Sequence, residues 1–169
     1  MPRFQPEEVL RVLARRAVRH VVIGGVAATL HGSNLRTGDL DICPARDREN
    51  LTRLAAALQE LEARVRTDGV PEGLPFSGDA AFLQRVEILN LVTRYGDLDI
   101  SFVPAGTGGY ADLVQRQVVY KLDELEVPVA DLEDVIRSKE AANRAKDREQ
   151  LPTLRLLARL RKDPKGDPR

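Results

Sequence analysis

The chain has 169 residues, enough for one domain with a buried core, and its 43% apolar content excludes disorder as the default. Its 26 basic and 26 acidic residues cancel, so no global positive field argues for nucleic-acid binding and only local patches remain. The one cysteine, Cys43, excludes an internal disulfide and fits a reducing cytoplasm. No apolar run approaches the ~18 residues of a membrane span, and the N-terminus lacks a signal-peptide pattern. The expectation is a soluble, cytoplasmic protein with no membrane partner.

Residues 6–17 read as a helix, with Pro6 at its first position, Glu7 and Glu8 at its positive end, and Val9, Leu10, Leu13 and Ala17 as its apolar stripe. Residues 20–25 give a short strand of the kind buried on both faces, ending in Gly24-Gly25. Residues 26–32 suit a short buried helix, and 39–43 a second strand. The clearest helix spans 47–65, with Asp47 as N-cap and Leu51, Leu54, Ala55, Leu58 and Leu61 at 3,4 spacing. Residues 67–79, rich in Gly and Pro, read as a long loop. Two strands joined at Tyr95-Gly96-Asp97 follow. Residues 105–109 form a flexible connection into a short helix over 110–116, and strand candidates lie at 117–122 and 125–130. Asp131 caps a helix running to about Asn143, and Asp147 opens a last helix with a Leu151, Leu154, Leu157, Leu160 stripe. Residues 163–169 read as a disordered tail. This order of elements indicates an α/β or α+β domain.

Alternate residues of a strand share a face. In the second strand Leu40 and Ile42 point one way, and Asp39, Asp41 and Cys43 the other. In residues 97–102, Leu98, Ile100 and Phe102 oppose Asp97, Asp99 and Ser101. If the two strands are neighbours, three or four carboxylates converge, and a divalent cation resolves their repulsion. Two metals about 3.5–4 Å apart can hold the attacking and leaving oxygens of a phosphoryl displacement. Asp97 is the weakest member, because a turn aspartate beside Gly96 already has a structural role. Gly24-Gly25, between strand and helix, allows close backbone approach to an anion.

Together these residues resemble a known family. Ile23-Gly24-Gly25, thirteen residues, Asp39-Leu40-Asp41-Ile42, and later Leu98-Asp99-Ile100 are similar to the nucleotidyltransferase superfamily with the DNA polymerase beta-like fold. Residues 24–42, 94–100 and 131–151 resemble its small bacterial branch of AbiEii-type toxin–antitoxin enzymes. The resemblance implies a mixed β-sheet core at about 18–104, flanked by helices, and a mostly helical part at about 105–162, in a single domain over 1–162. It implies Mg²⁺ held by Asp39, Asp41 and Asp99, with Asp99 also helping to activate an acceptor hydroxyl. It implies an NTP such as ATP as substrate, its triphosphate cradled by Gly24 and Gly25. Thr37 stands where the family often has Thr, and Arg36 lies one place nearer Asp39 than the arginine of many members. Lys139 and Asp147 match the Lys and the Lys-Asp pair of the family's C-terminal helical motif, which makes Lys139 catalytic and both residues nucleotide-binding. If residues 136–147 form one helix, Lys139, Asn143 and Lys146 share a face; Asp147 lies off it and suits a helix cap.

The implied reaction transfers NMP to a hydroxyl of RNA or tRNA, a protein or a small molecule. An antitoxin-type enzyme that modifies a cognate toxin, and a catalytically silent nucleotide- or partner-binding domain, are the alternatives. Basic clusters at Arg11, Arg15, Arg16 and Arg19 and at Arg137, Lys139, Arg144, Lys146 and Arg148 could touch RNA, although solvated helix faces explain most of them. Three Tyr and four Phe leave few platforms for base stacking. His31 reads as a packed or capping histidine, Cys43 as a buried thiol, Ser33 as a turn residue, and His20 has no metal-ligand partners in the sequence.

Overall fold

In the computed structural model, which describes residues 3–163, α1 (Pro6–Arg15) ends where Ala17 takes a left-handed backbone (φ 54°) and turns the chain into β1 (His20–Ile23). α2 (Gly24–Leu30) follows without a linker, and β2 (Asp39–Pro44) returns antiparallel to β1. α3 (Arg48–Glu60) starts at Asp47, whose carboxylate accepts from the Asn50 amide. Then come β3 (Arg64–Thr67), β4 (Val70–Leu74), the single turn α4 (Ala80–Leu83), β5 (Ile88–Thr93) and β6 (Gly96–Ser101). α5 (Tyr110–Leu113), the hairpin of β7 (Val118–Leu122) and β8 (Leu125–Val129), α6 (Leu132–Ala142) and α7 (Ala145–Lys162) complete the described residues.

The eight strands form one mixed sheet in the order β4-β3-β5-β6-β2-β1-β8-β7. β6 runs parallel to β2 and β8 parallel to β1, and the other pairs are antiparallel. Leu40, Ile42, Leu98 and Ile100 are fully buried in one core cluster with Leu13 of α1 and Leu51 and Leu54 of α3. Val21 and Val22 of β1 are both buried, as a strand covered on both faces requires. This is the α/β class expected from the element order. Among the described residues, no helix is long and apolar enough to cross a membrane.

Several expectations need correction. The helix expected to reach residue 65 stops at Glu60, because Glu62 adopts φ 54° and the chain reverses into β3. The expected loop at 67–79 contains β4: Asp68-Gly69 makes a hairpin turn with Gly69 at φ 79°, and β3 pairs on its other side with β5. The helix supposed over 136–147 is two helices. Asn143 takes the left-handed conformation (φ 49°, ψ 35°) that Asn tolerates, so Lys139, Asn143 and Lys146 do not share a helical face. α7 begins at Ala145 rather than Asp147, and Leu160 of its supposed stripe is exposed. α5 is shorter than the expected 110–116. Of the expected tail, residues 164–169 lie outside the described residues.

Leu98 sits under the centre of β6 with no exposure. Leu98→Ala is expected to lower unfolding stability by about 2–5 kcal/mol in urea denaturation, with an unchanged m-value.

Candidate active site

β2 and β6 lie parallel with Asp39 opposite Asp97 and Asp41 opposite Asp99. Their apolar partners, Leu40, Ile42, Leu98 and Ile100, anchor the other face in the core, so the carboxylates stand together above the sheet. One oxygen from each of Asp39, Asp41 and Asp99 lies within 4.8 Å of the other two. Asp97 stands apart from this group: its Oδ2 forms an ion pair with Arg66 Nη1 at 2.9 Å.

The glycine turn closes one end. Gly24 has φ 65°, and a Cβ there would lie 2.5 Å from Asp41 Oδ2; a Cβ on Gly25 would lie 2.7 Å from Thr37 Oγ1. A side chain at Gly24 would displace the Asp41 carboxylate, and one at Gly25 would displace Thr37. Thr37 Oγ1 is 3.1 Å from both the Asp39 main-chain oxygen and Asp39 Oδ1 and donates to that pair. No side chain caps the start of α2.

The carboxylates are short of positive charge. Burial, then Asp39 and Asp99, push Asp41 up to about 7. Burial likewise pushes Asp99 up to about 6, against the pull of Arg66 and with a further push from Asp39. An all-oxygen donor set with unrelieved repulsion fits a hard divalent cation.

α6 and the start of α7 form the opposite wall of a cleft of about 320 Å³, in which Lys139 and Arg144 face Gly24, Asp41 and Asp99. Lys139 Nζ donates to Gln150 Oε1 at 2.8 Å and pairs with Asp147 Oδ1 at 3.5 Å; burial lowers its pKa. Asp147 is not brought to the cleft surface. It is fully buried and accepts from the Arg144 amide (3.1 Å) and Nε (2.7 Å), closing the capping box of α7. Its burial would raise its pKa, but these Arg144 contacts hold it low. Lys146 lies near enough to Asp41 to favour the ionised carboxylate. Arg36 is exposed on the segment between α2 and β2 and makes no hydrogen bond or ion pair among the described residues.

Two contributors were not singled out for the site in the sequence. Arg66, on the overlooked strand β3, reaches Asp99 Oδ1 at 2.7 Å; its signal was the alternation Arg64-Val65-Arg66-Thr67 beside an Asp-Gly turn. Asn90 of β5 stands opposite Asp99 and lines the cleft. The residues read as structural behave so. His31 caps α2, with Nε2 2.7 Å from the Ala130 oxygen and Nδ1 2.8 Å from the Tyr120 hydroxyl. His20 is buried with Nδ1 3.0 Å from the Val18 oxygen, and Ser33 Oγ accepts from the Leu35 amide. Burial pushes the Cys43 thiol up to about 12. In the first basic cluster, Arg11 pairs with Glu8, Arg15 and Arg16 with Glu60, and Arg19 with Asp47.

No family model and no curated protein sequence matches the chain. Solved structures do resemble it. The lincosamide antibiotic adenylyltransferase LnuA, determined with lincomycin bound, is 15% identical with a TM-score of 0.60, the match covering 92% of this chain and 99% of LnuA. A Thermotoga maritima protein assigned to the nucleotidyltransferases is 17% identical with a TM-score of 0.56, covering 90% of this chain and 94% of that one. ANT(2″)-Ia, determined with adenylyl-2″-tobramycin, is 15% identical with a TM-score of 0.52, covering 95% and 97%. At such identities the likeness is one of fold: the chain has a nucleotidyltransferase-like α/β fold.

Asp41 and Asp99 sit above the ordinary carboxylate value of about 4 when folded. Between that value and about 7 the folded state holds more protons than the unfolded one, so their contribution to stability falls as pH rises. His20 and His31, lowered by burial, act in the opposite sense. The difference between wild type and Asp41→Asn isolates the contribution of Asp41. In chelator, the variant's melting temperature is expected to gain on wild type between pH 4.5 and 7.5, each kcal/mol being worth about 2–4 °C. Scanning calorimetry across that range measures it.

Proposed function

We propose that this chain is a Mg²⁺-dependent nucleotidyltransferase that moves NMP from an NTP to a hydroxyl of a small molecule. The observation that carries the proposal is the convergence of Asp39, Asp41 and Asp99 within 4.8 Å, beside a glycine turn where a side chain would displace Asp41 or Thr37. A silent binding domain has no use for carboxylates buried and crowded together so that Asp41 is pushed up to about 7. The small-molecule acceptor draws support from LnuA and ANT(2″)-Ia, whose bound lincomycin and adenylyl-tobramycin name antibiotics as their ligands. An RNA acceptor is disfavoured, because the first basic cluster is engaged in ion pairs.

In the proposed reaction the acceptor oxygen attacks the α-phosphorus in line. The new O–P bond forms as the bond from that phosphorus to the β-phosphate bridging oxygen breaks, and pyrophosphate leaves. Asp99 takes the proton of the attacking hydroxyl. Asp39, Asp41 and Asp99 would hold the Mg²⁺, which when bound supplies positive charge to the attacking and leaving oxygens. Gly24 and Gly25 let phosphate oxygens approach the backbone, and Thr37 orients Asp39. Lys139, Lys146 and Arg144 place positive charge across the cleft from the carboxylates, where the triphosphate would lie. Asp147 orients Lys139 and Arg144 from behind. Arg36, unpaired among the described residues, is free to turn toward the phosphates. The resemblance of residues 24–42, 94–100 and 131–151 to the AbiEii-type branch supports a second reading, in which the chain is an antitoxin-type enzyme and the acceptor is a protein hydroxyl on a cognate toxin.

The test is incubation with each α-labelled NTP and Mg²⁺, with lincosamides, aminoglycosides, tRNA or cell lysate as acceptors. Wild type is expected to label a small molecule, and Asp41→Ala to fall to background. Label on a lysate protein supports the second reading. Equal labelling by the two proteins, or none with any NTP and acceptor, refutes catalysis.

A further inference from the structure

We infer that Arg66 is a positioning residue for Asp99, and that Asp97 serves the site through Arg66 rather than as a metal ligand; both roles rest on the metal site proposed above. Arg66 belongs to β3, two strands away from β6 in the sheet. Its guanidinium crosses β5, with Nη1 3.5 Å from the Leu91 oxygen, and forks. Nη1 meets Asp97 Oδ2 at 2.9 Å, and Nη2 meets Asp99 Oδ1 at 2.7 Å.

The sheet register builds this contact. Arg64 stands opposite Val92 and Val65 opposite Leu91, and Arg66 follows where this pairing ends. Asn90 faces Asp99, Asp99 faces Asp41, and Asp41 faces Ile23 beside the glycine turn. One transverse row thus runs from Asn90 through Asp99 and Asp41 to the phosphate end of the site, and Arg66 reaches it with its guanidinium. Because the row lies on a pleated sheet, the spacing of its members is set by backbone pairing rather than by loop conformation.

The fork has two consequences. It holds Asp99 by its Oδ1 and so restrains the orientation of that carboxylate. It also gives Asp97, the carboxylate outside the cluster, a defined partner. Among the described residues Arg66 is the one cation within ion-pair distance of Asp97 or Asp99, since Lys139 and Arg144 are held by Asp147. A lysine could not repeat the arrangement, because one ammonium lacks the planar pair of donors that spans two carboxylates. Outer contacts of this kind hold a ligating carboxylate in its productive orientation, and losing them costs about 10–100-fold in metal affinity.

The experiment is a Mn²⁺ titration of the intact protein, with free ion read by electron paramagnetic resonance and folding checked by circular dichroism. Arg66→Ala is expected to weaken Mn²⁺ binding by about 10–100-fold, and Arg66→Lys to recover only part of the loss. Asp97→Asn is expected to weaken it less, and to cause no further loss when added to Arg66→Ala, because Asp97 acts through the guanidinium. If Arg66→Ala does not fold, Arg66→Lys and Asp97→Asn carry the test. Folded arginine variants that all bind within roughly twofold of wild type, or an Asp97→Asn loss that adds in full to that of Arg66→Ala, would overturn the inference alone. A wild type that binds no Mn²⁺ overturns the metal site with it.

Discussion

Like charges held together on two parallel strands are the constraint on which the rest of this protein depends. Asp39 and Asp41 on β2 meet Asp97 and Asp99 on β6 because backbone pairing sets strands about 4.8 Å apart, whatever the side chains prefer. What holds the register is the opposite face. Leu40, Ile42, Leu98 and Ile100 are each fully buried, and burial of such side chains is worth about 1.5–3 kcal/mol apiece. A slip by one residue would bury the aspartates and expose the leucines. The apolar core therefore maintains a charge arrangement that would not assemble by itself.

Everything near that cluster manages its charge at a different distance. Arg66 touches it directly from the side of β3. Lys139 and Arg144 face it across the cleft but are held back by Asp147, which is buried and committed to both. The left-handed Asn143 separates α6 from α7 and sets this joint: it lets Asp147 sit in the first turn of α7 while Lys139 projects from α6 toward the same carboxylate. A continuous helix would have set these two residues about 12 Å apart along its axis. The wall that would meet a triphosphate is thus built on a helix break.

Some of this architecture is legible in the amino-acid order. The β5–β6 hairpin shows in Tyr95-Gly96-Asp97 between alternating strands, and the start of α3 in Asp47, since turn and cap chemistry are local. The proximity of Asp39 and Asp41 to Asp99 follows once the two strands are supposed to be neighbours, because alternation assigns both acidic faces. β3 and β4 were harder. Their residues are short, charged and interrupted by Gly and Pro, and they become strands because the open edge of β5 supplies hydrogen-bond partners. With β3 overlooked, Arg66 could not be placed beside Asp99, although 33 residues separate them in the chain. The 136–147 stretch misled for a related reason: its helical periodicity continues through Asn143, whereas the backbone does not.

The sequence by itself determined most of the helices and strands, the two acidic strand faces, the glycine turn and the caps of α3 and α6, because each depends on residues within a few positions of one another. Only the tertiary structure decided which strands are neighbours, that β2 and β6 run parallel in register, that Arg66 reaches across β5, and that Asp147 is buried behind Lys139. Those outcomes depend on how edges and faces far apart in the chain satisfy their hydrogen bonds and bury their apolar area together, a global balance that no local pattern encodes.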